Sequence, residues 1–429
     1  MHQSLTAVAG YLLAFAAVAA GLGSVAWPVL ILPAGLAAWA AVGLAWRHAS
    51  RRSLLQALLL VLVGLGGLAW GMAEGVRPDI HRALSANMGL IGLLIAVSFL
   101  QLVALPAKDA SGEQPRGRGT FRATGLGVHL FGAVINLSAV FLVAERLRRQ
   151  GPLGREQAVL LTRFFAAAGF WSPFFAAMAA ALAFAPDARL LHLMTAGLPL
   201  AALGMLISYV GTGRKVGDDF VGYPPHYRHL RVPAVLASAV LLIHVWNDSL
   251  SVIAVITLLS PVITVAGLMM QRGRSLGMMR SHVSRNLPRM VNELLLFLAA
   301  GVLAAGIGSA LAAMGDWSPY GSFGAREAWL TTVFITAFAV VGVHPVIGIA
   351  TFGTMVAPLE PHNSLLAMSF LAAWGLGAAA SPLSGMNLGL QGRFGLDGFS
   401  IMRWNAGYTM LMLLATAPLF WLAAELLCA

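Results

Sequence analysis

Runs of about twenty apolar residues recur along the whole chain, each long enough to cross a hydrocarbon core of about 30 Å as a single helix. Eleven stand out, at 5–24, 26–46, 54–72, 88–107, 157–185, 190–211, 233–246, 251–270, 290–314, 364–390 and 404–428. A soluble fold of 429 residues has no interior large enough to hide them, because 59% of the residues are hydrophobic and only 10% are charged. With a mean hydropathy of +0.81, the composition is that of a chain whose solvent is lipid. The fold expected is an all-α polytopic membrane protein. The net charge of +11 would suggest nucleic acid in a soluble chain. Here the arginines sit in short loops between apolar runs, where they set orientation, and nucleic-acid binding is excluded. The single Cys428 permits no internal disulfide and no cysteine metal site. Residues 1–24 lack a basic leading segment and run on into a second apolar stretch, so they read as an uncleaved first helix. Lys108 and Lys215 are the only lysines; so strong an arginine bias hints at a GC-rich bacterial genome and hence at a bacterial inner membrane.

The stretches 120–146 and 327–359 do not fit as simple spans. If 120–146 crossed once, the two Arg-rich loops 108–122 and 146–155 would lie on opposite sides of the membrane. Basic loops collect on the cytoplasmic side, and a re-entrant hairpin at 120–146 restores that. Arg47, Arg51 and Arg52, the segment 214–231, the segment 272–289, and Arg393 with Arg403 then all fall inside. The weakly charged loops 73–87, 186–189, 247–250 and 315–326 fall outside. The stretch 327–359 must likewise return to its own face, the outer one, because its flanks carry no basic excess. The expectation is therefore eleven spans plus two opposed hairpins. In domain terms, 1–119 and 212–326 are scaffold helices. Residues 120–211 (hairpin 120–146, broken helix 157–185) and 327–429 (hairpin 327–359, broken helix 364–390, last helix) are two transport elements of inverted topology.

Short sequence echoes support the doubling. Gly127-Val128-His129 and Gly342-Val343-His344 are each followed by Ser-Pro, 43 residues after His129 at Ser172-Pro173 and 37 after His344 at Ser381-Pro382. Matches this short also arise by chance in a chain rich in Ala, Gly and Leu. Taken as a repeat, paired helices broken by Gly and Pro point to a secondary transporter with its site between the copies. Non-helical backbone at membrane depth must face protein or a wet cavity, and the hairpin tips are placed at Gly127–Phe131 and Gly342–Val346. The first arm, 120–128, would then reach about 13 Å at 1.5 Å per residue.

Candidate ligand-binding residues follow from that geometry. Pro173 and Pro382 each free a backbone carbonyl one turn upstream. Ser172, Ser381, Ser384 and Asn387 beside them either coordinate a cation or substrate, or merely relieve a proline kink. His129 and His344 either hydrogen-bond a substrate and titrate with coupled protons, or cap their own turns. Asn136 and Ser138 in the first hairpin, and Thr351 and Thr354 in the second, lie within two turns of the tips; hydroxyls at such positions also bond to the preceding turn. Buried carboxylates are nearly absent, Glu293 and Asp248 lying near span ends, which argues against a cation antiporter built on intramembrane acids. The segments 213–232 and 271–290 mix Arg with aromatic or apolar residues and read either as surface-lying pieces or as plain topology loops.

The order of four helices, an inward hairpin, two helices, three helices, an outward hairpin and two final helices resembles the ion transporter superfamily, which includes the divalent anion/sodium symporters. The segment Gly377-Ala-Ala-Ala-Ser-Pro-Leu-Ser-Gly-Met-Asn-Leu388 also resembles part of the large membrane subunit of tripartite periplasmic transporters. The resemblance implies an elevator mechanism, a homodimer on a scaffold domain, and a small anionic, carboxylate-like solute carried with Na⁺ or H⁺, with no other cofactor. The chain lacks the Ser-Asn-Thr signature of the symporters. The rival class is a membrane enzyme acting on a lipid-linked or acyl substrate, but the outer loops are short and no acid/base set converges. The chain is accordingly expected not to be an enzyme. The charge pattern yields one direct prediction. With Cys428→Ser as background, Glu360→Cys is labelled by a membrane-impermeant thiol reagent on intact cells and Gln150→Cys is not; labelling at 150 means that 120–146 crosses the membrane.

Overall fold

The computed structural model describes residues 2–104, 115–223, 231–247, 250–270, 277–315 and 317–428. Lys108, Tyr227, Arg228, Asp248, Arg272 and Arg274 lie outside the described residues. Helices α1 His2–Val25, α2 Ile31–Ala45, α3 Arg51–Ala73, α4 Ile80–Ser85, α5 Met88–Ser98 and α6 Gln101–Ala104 are followed by α7 Arg118–Ile135, α8 Leu137–Arg148, α9 Arg155–Ala168, α10 Ala176–Phe184 and α11 Leu190–Ser208. Then come α12 Arg231–Trp246, α13 Val252–Met270, α14 Gly277–Ser281 and α15 Val291–Ala313, and finally α16 Ala325–Val340, α17 Pro345–Val356, α18 Asn363–Ala380, α19 Gly385–Phe394 and α20 Gly398–Cys428. Among the described residues there is no strand, only an isolated bridge between Arg116 and Val221. The chain is an all-α polytopic membrane protein.

Nine helices among the described residues are long and apolar enough to cross a membrane, with 363–394 counted as one through its break. Two of the eleven expected spans fall short of that measure. Residues 157–185 are divided between α9 and α10, of 14 and 9 residues, because Gly169 and Pro173 interrupt the run. The span at 233–246 is a 16-residue helix, α12.

The residues cluster into two compact units. Unit 1 comprises Met1–Leu105, Val232–Gly321 and Ala350–Leu359; unit 2 comprises Pro106–Arg231, Ser322–Ile349 and Glu360–Ala429. The segment 212–231, expected among the scaffold helices, thus clusters with unit 2, and the division falls inside α17.

Within unit 1, α3 and α15 touch backbone to backbone. A Cβ on Gly67 would sit 2.4 Å from the Gly306 carbonyl oxygen, and one on Gly306 would sit 2.0 Å from that of Gly64. Lipid offers no hydrophobic drive for two helices to associate, so small residues that permit such an approach carry the packing. Buried polar groups pair across helices, Asn87 Nδ2 donating to the Phe297 carbonyl at 2.7 Å and Ser98 Oγ lying 2.9 Å from His282 Nε2.

Within unit 2, segment ends that the charge pattern places on one side do meet. Arg118 Nε donates to the Val216 carbonyl at 3.1 Å, and Arg148 Nη1 donates to the Arg393 carbonyl. At the opposite end, the Arg189 amide donates to Ser364 Oγ at 3.2 Å. The stretch 118–148 doubles back. Tyr223, through its amide, donates to Thr124 Oγ1 at 2.9 Å, near the start of α7, while the Arg146 guanidinium, near the end of α8, lies 5.8 Å from the Tyr223 ring centroid.

The tip of this hairpin is not Gly127–Phe131, which lies inside α7. The chain turns at Asn136, with φ 52° and ψ −140°. The arm leading to it has 18 residues rather than nine, about 27 Å at 1.5 Å each. The second tip is where the sequence places it, turning at Gly342 with φ 100°. Gly348 there faces Ile335, to which an added Cβ would come within 2.9 Å, so the first turn of α17 folds back along α16.

Replacing Gly306 with leucine should prevent the α3–α15 approach at a cost of about 1–3 kcal/mol. Thermal unfolding of the detergent-purified protein would show it as a lowered midpoint; an unchanged midpoint would mean that the helices are not in backbone contact.

Candidate functional site

Proline after serine stops a helix twice in unit 2, and the chain handles the two breaks alike. At Ser172 the amide still donates back four residues, to Ala168 at 3.0 Å; at Ser381 it donates to Gly377 at 2.9 Å. The serine hydroxyl oxygen then accepts the amide two residues on, Phe174 or Leu383, at 3.2 Å in both. The serine carbonyl accepts the amide three residues on, Phe175 at 3.2 Å or Ser384 at 3.3 Å. Proline cannot donate, and buried backbone groups left without partners are costly, so in each copy one short side chain reseals the opened turn. Both serines are buried, as are Pro173 and Pro382.

An amide side chain completes each break. Asn136 Nδ2, from the first hairpin tip, donates to the Phe174 carbonyl at 3.1 Å, and Asn387 Nδ2 donates to the Ser381 carbonyl at 2.8 Å. Ser384 caps α19, its hydroxyl accepting the Asn387 amide at 3.2 Å. With Nδ2 so engaged, Asn387 Oδ1 is a buried acceptor without a hydrogen-bond partner among the described residues.

Each hairpin tip lies against its own break. Ser172 Oγ donates to the Ala133 carbonyl, three residues before the first tip. At the second tip, a Cβ on Gly342 would meet Leu383 at 2.6 Å, and one on Gly377 would meet Pro345 at 3.1 Å. The two copies also touch, because the Phe170 ring fills the place where a Cβ of Gly375 would sit.

The two histidines of the sequence echo are not equivalent. His129 lies inside α7, its Nδ1 3.0 Å from the Phe164 carbonyl and its Nε2 accepting the Trp171 indole N–H at 3.2 Å. A carbonyl only accepts and an indole N–H only donates, so this ring carries its proton on Nδ1 and both nitrogens are occupied. His344 lies just after its tip and caps α17, Nδ1 accepting the Val346 amide at 3.2 Å. Each ring packs on a tryptophan of the broken helix that follows, His129 on Trp171 and His344 on Trp374, with centroids 5.9 and 5.2 Å apart.

Ser138 is half-buried in the first turn of α8. Thr351 and Thr354 fall in the part of α17 that clusters with unit 1; Thr354 bonds back to the Ala350 carbonyl at 2.8 Å.

Sequence reasoning missed a buried network in unit 2. Arg163, 7% exposed, donates from Nε to Asn405 Oδ1 at 2.8 Å and from Nη2 to the Trp404 carbonyl at 2.6 Å, and lies 4.9 Å from the Tyr408 ring centroid. Asn405 Nδ2 donates in turn to Thr162 Oγ1 at 3.1 Å and to the Ala379 carbonyl at 2.9 Å. That carbonyl has lost its helical donor, since the Leu383 amide bonds Ser381 Oγ instead. The signal was available, because an arginine inside an apolar run marks a functional position by default.

No family model matches the chain, and no curated protein matches it in sequence. In structure it is similar to the Alcanivorax borkumensis YdaH transporter, whose crystal structure is described as having an unusual topology. The TM-score is 0.51 at 14% identity, covering 86% of this chain and 98% of that one. At such identity the likeness is one of fold alone, shared with that transporter.

The network sets a stability prediction. Asn405→Ala strands both a buried guanidinium donor and the Ala379 carbonyl, and should cost at least about 3 kcal/mol. The chemical-denaturation midpoint of the purified protein would fall accordingly; a change within error would show that Arg163 and Ala379 find other partners.

Proposed function

We propose that the chain is a secondary active transporter of a small anionic, carboxylate-like solute, of the ion transporter superfamily type, residing as a homodimer in a bacterial inner membrane. In this reading unit 2 carries the solute by an elevator movement and unit 1 is the scaffold. The observation that carries it is the matched pair of Ser-Pro breaks, each with a hairpin tip packed against it and joined to the other through Phe170 and Gly375. Interrupted helices begin anew at membrane depth, where the first amides of the new helix can meet a ligand, which unbroken helices do not offer. The start of α19 at Gly385, with its amides and partial positive charge, suits a carboxylate. Arg163, in the same unit and with no carboxylate partner among the described residues, adds a fixed positive charge. Asn387 Oδ1 supports cation coupling, because a buried acceptor without a donor suits Na⁺ or a protonated group.

The test uses proteoliposomes with an imposed Na⁺ or proton gradient and labelled acetate, succinate and glutamate as probes. The wild type should accumulate at least one of these acids. Ser172→Ala with Ser381→Ala should lose uptake by at least about tenfold, equivalent to about 1.4 kcal/mol, while eluting as folded protein. Undiminished uptake by the double variant removes the breaks from the transport site. Failure of the wild type with every acid sinks the carboxylate class.

A further inference from the structure

At one end of unit 2 a cavity of about 410 Å³ is lined by Phe141, Glu145, Arg148, Arg149, Arg393 and Phe394. It lies at the far end of α19 from Ser384, at the close of the apolar stretch 363–394 and beside the last turn of α8. Three arginines and one glutamate line it, a surplus of two positive charges.

Two of the arginines are held by aromatic rings. Arg393 lies 4.3 Å from the Phe141 ring centroid and Arg148 lies 5.9 Å from that of Phe394. A guanidinium stacked on a ring keeps its edge donors in a fixed fork, the geometry that binds phosphate. Phe141 is itself held in place by Gly389, where an added Cβ would approach the ring to 2.3 Å.

Part of this charge has a structural duty. Arg148 donates to the Arg393 carbonyl and so closes the end of α19. Arg149 has none, since among the described residues its side chain makes no hydrogen bond, ion pair or ring contact. Its charge therefore adds to the cavity without serving the fold.

We propose that this cavity binds the phosphate of an anionic phospholipid, with Arg148, Arg149 and Arg393 on the headgroup and Phe141 and Phe394 against the start of the acyl chains. Three features favour lipid over a free anion. The cavity sits where an apolar span ends, its walls combine cations with aromatic rings, and basic pockets between helices at the cytoplasmic surface recognise anionic headgroups. The charge pattern puts both contributing segments on that surface. A lipid seated there ties the returning arm of the first hairpin to the helix that follows the second break. It would stabilise unit 2 from a place separate from the Ser-Pro breaks, so the assignment does not depend on what is transported.

The test is native mass spectrometry of the full-length protein in detergent with equimolar dioleoylphosphatidylglycerol and dioleoylphosphatidylcholine. Wild type should retain phosphatidylglycerol in preference. Arg149→Gln should weaken that retention about fivefold, as expected for the loss of one basic side chain at a lipid surface, with its unfolding temperature in phosphatidylcholine unchanged. Replacing all three arginines with glutamine should abolish the preference, and Arg149→Gln carries the test alone if the triple variant does not fold. Equal retention by wild type and Arg149→Gln overturns the proposal. So does a rise in unfolding temperature with inorganic phosphate equal to that with phosphatidylglycerol, which would assign the cavity to free phosphate.

Discussion

A helix broken inside a membrane exposes backbone groups that lipid cannot satisfy, and the architecture of unit 2 is an answer to that constraint made twice. Ser172 and Ser381 each spend one hydroxyl on the amide that proline displaces. What remains open is met from outside the broken helix, by Asn136 on the first hairpin for Phe174 and by Asn405 on α20 for Ala379. The first hairpin and the last helix are therefore the partners that allow the breaks to persist at depth. Removing the prolines would make those partners redundant; removing the partners would leave the breaks too costly to keep.

The likeness of the two copies lies in this bonding and not in the residues that first suggest it. Gly-Val-His occurs in both, yet His129 sits seven residues before its tip while His344 sits two residues after its own. Ser-Pro is the echo that survives, because its function is local and stereochemical: a serine before a proline meets the same backbone problem wherever it occurs. The turning residues differ in kind. Gly342 announces a positive φ. Asn136 does not, since asparagine is merely tolerant of such backbone and nothing in the flanking Val-Ile-Asn-Leu singles it out. That is why the second tip was legible in the sequence and the first was displaced by about two turns.

Charge was the most legible property and pairing the least. The loops that the arginines place on one face do meet within each unit, as Arg118 with Val216 and Arg148 with Arg393 show in unit 2, and as the Ser50 amide with Asn292 Oδ1 shows in unit 1. Arg163 was visible as an arginine in an apolar run, but its partner Asn405 lies 242 residues away, and no local pattern encodes so distant a bond. Distant pairing of this sort also fixes orientation. Arginine only donates, so it claims Asn405 Oδ1 and thereby turns the amide nitrogen toward Thr162 and Ala379.

The same logic applied to Asn387 reaches further, because there the chain of partners stops. Its nitrogen is claimed by the Ser381 carbonyl, its backbone amide by Ser384, and its oxygen by no group among the described residues. A carboxylate brought to this oxygen would add a second acceptor and gain nothing. Any anion at the start of α19 must therefore be read by the helix amides and by positive charge, while Asn387 Oδ1 answers to a cation or a donor. The two demands are complementary: one break offers a surface for negative charge and, within a single turn, an acceptor for positive charge. Under the proposed reading, a solute and a coupling ion of opposite sign would each relieve the field of the other there, so that the binding of either would raise the affinity for the other.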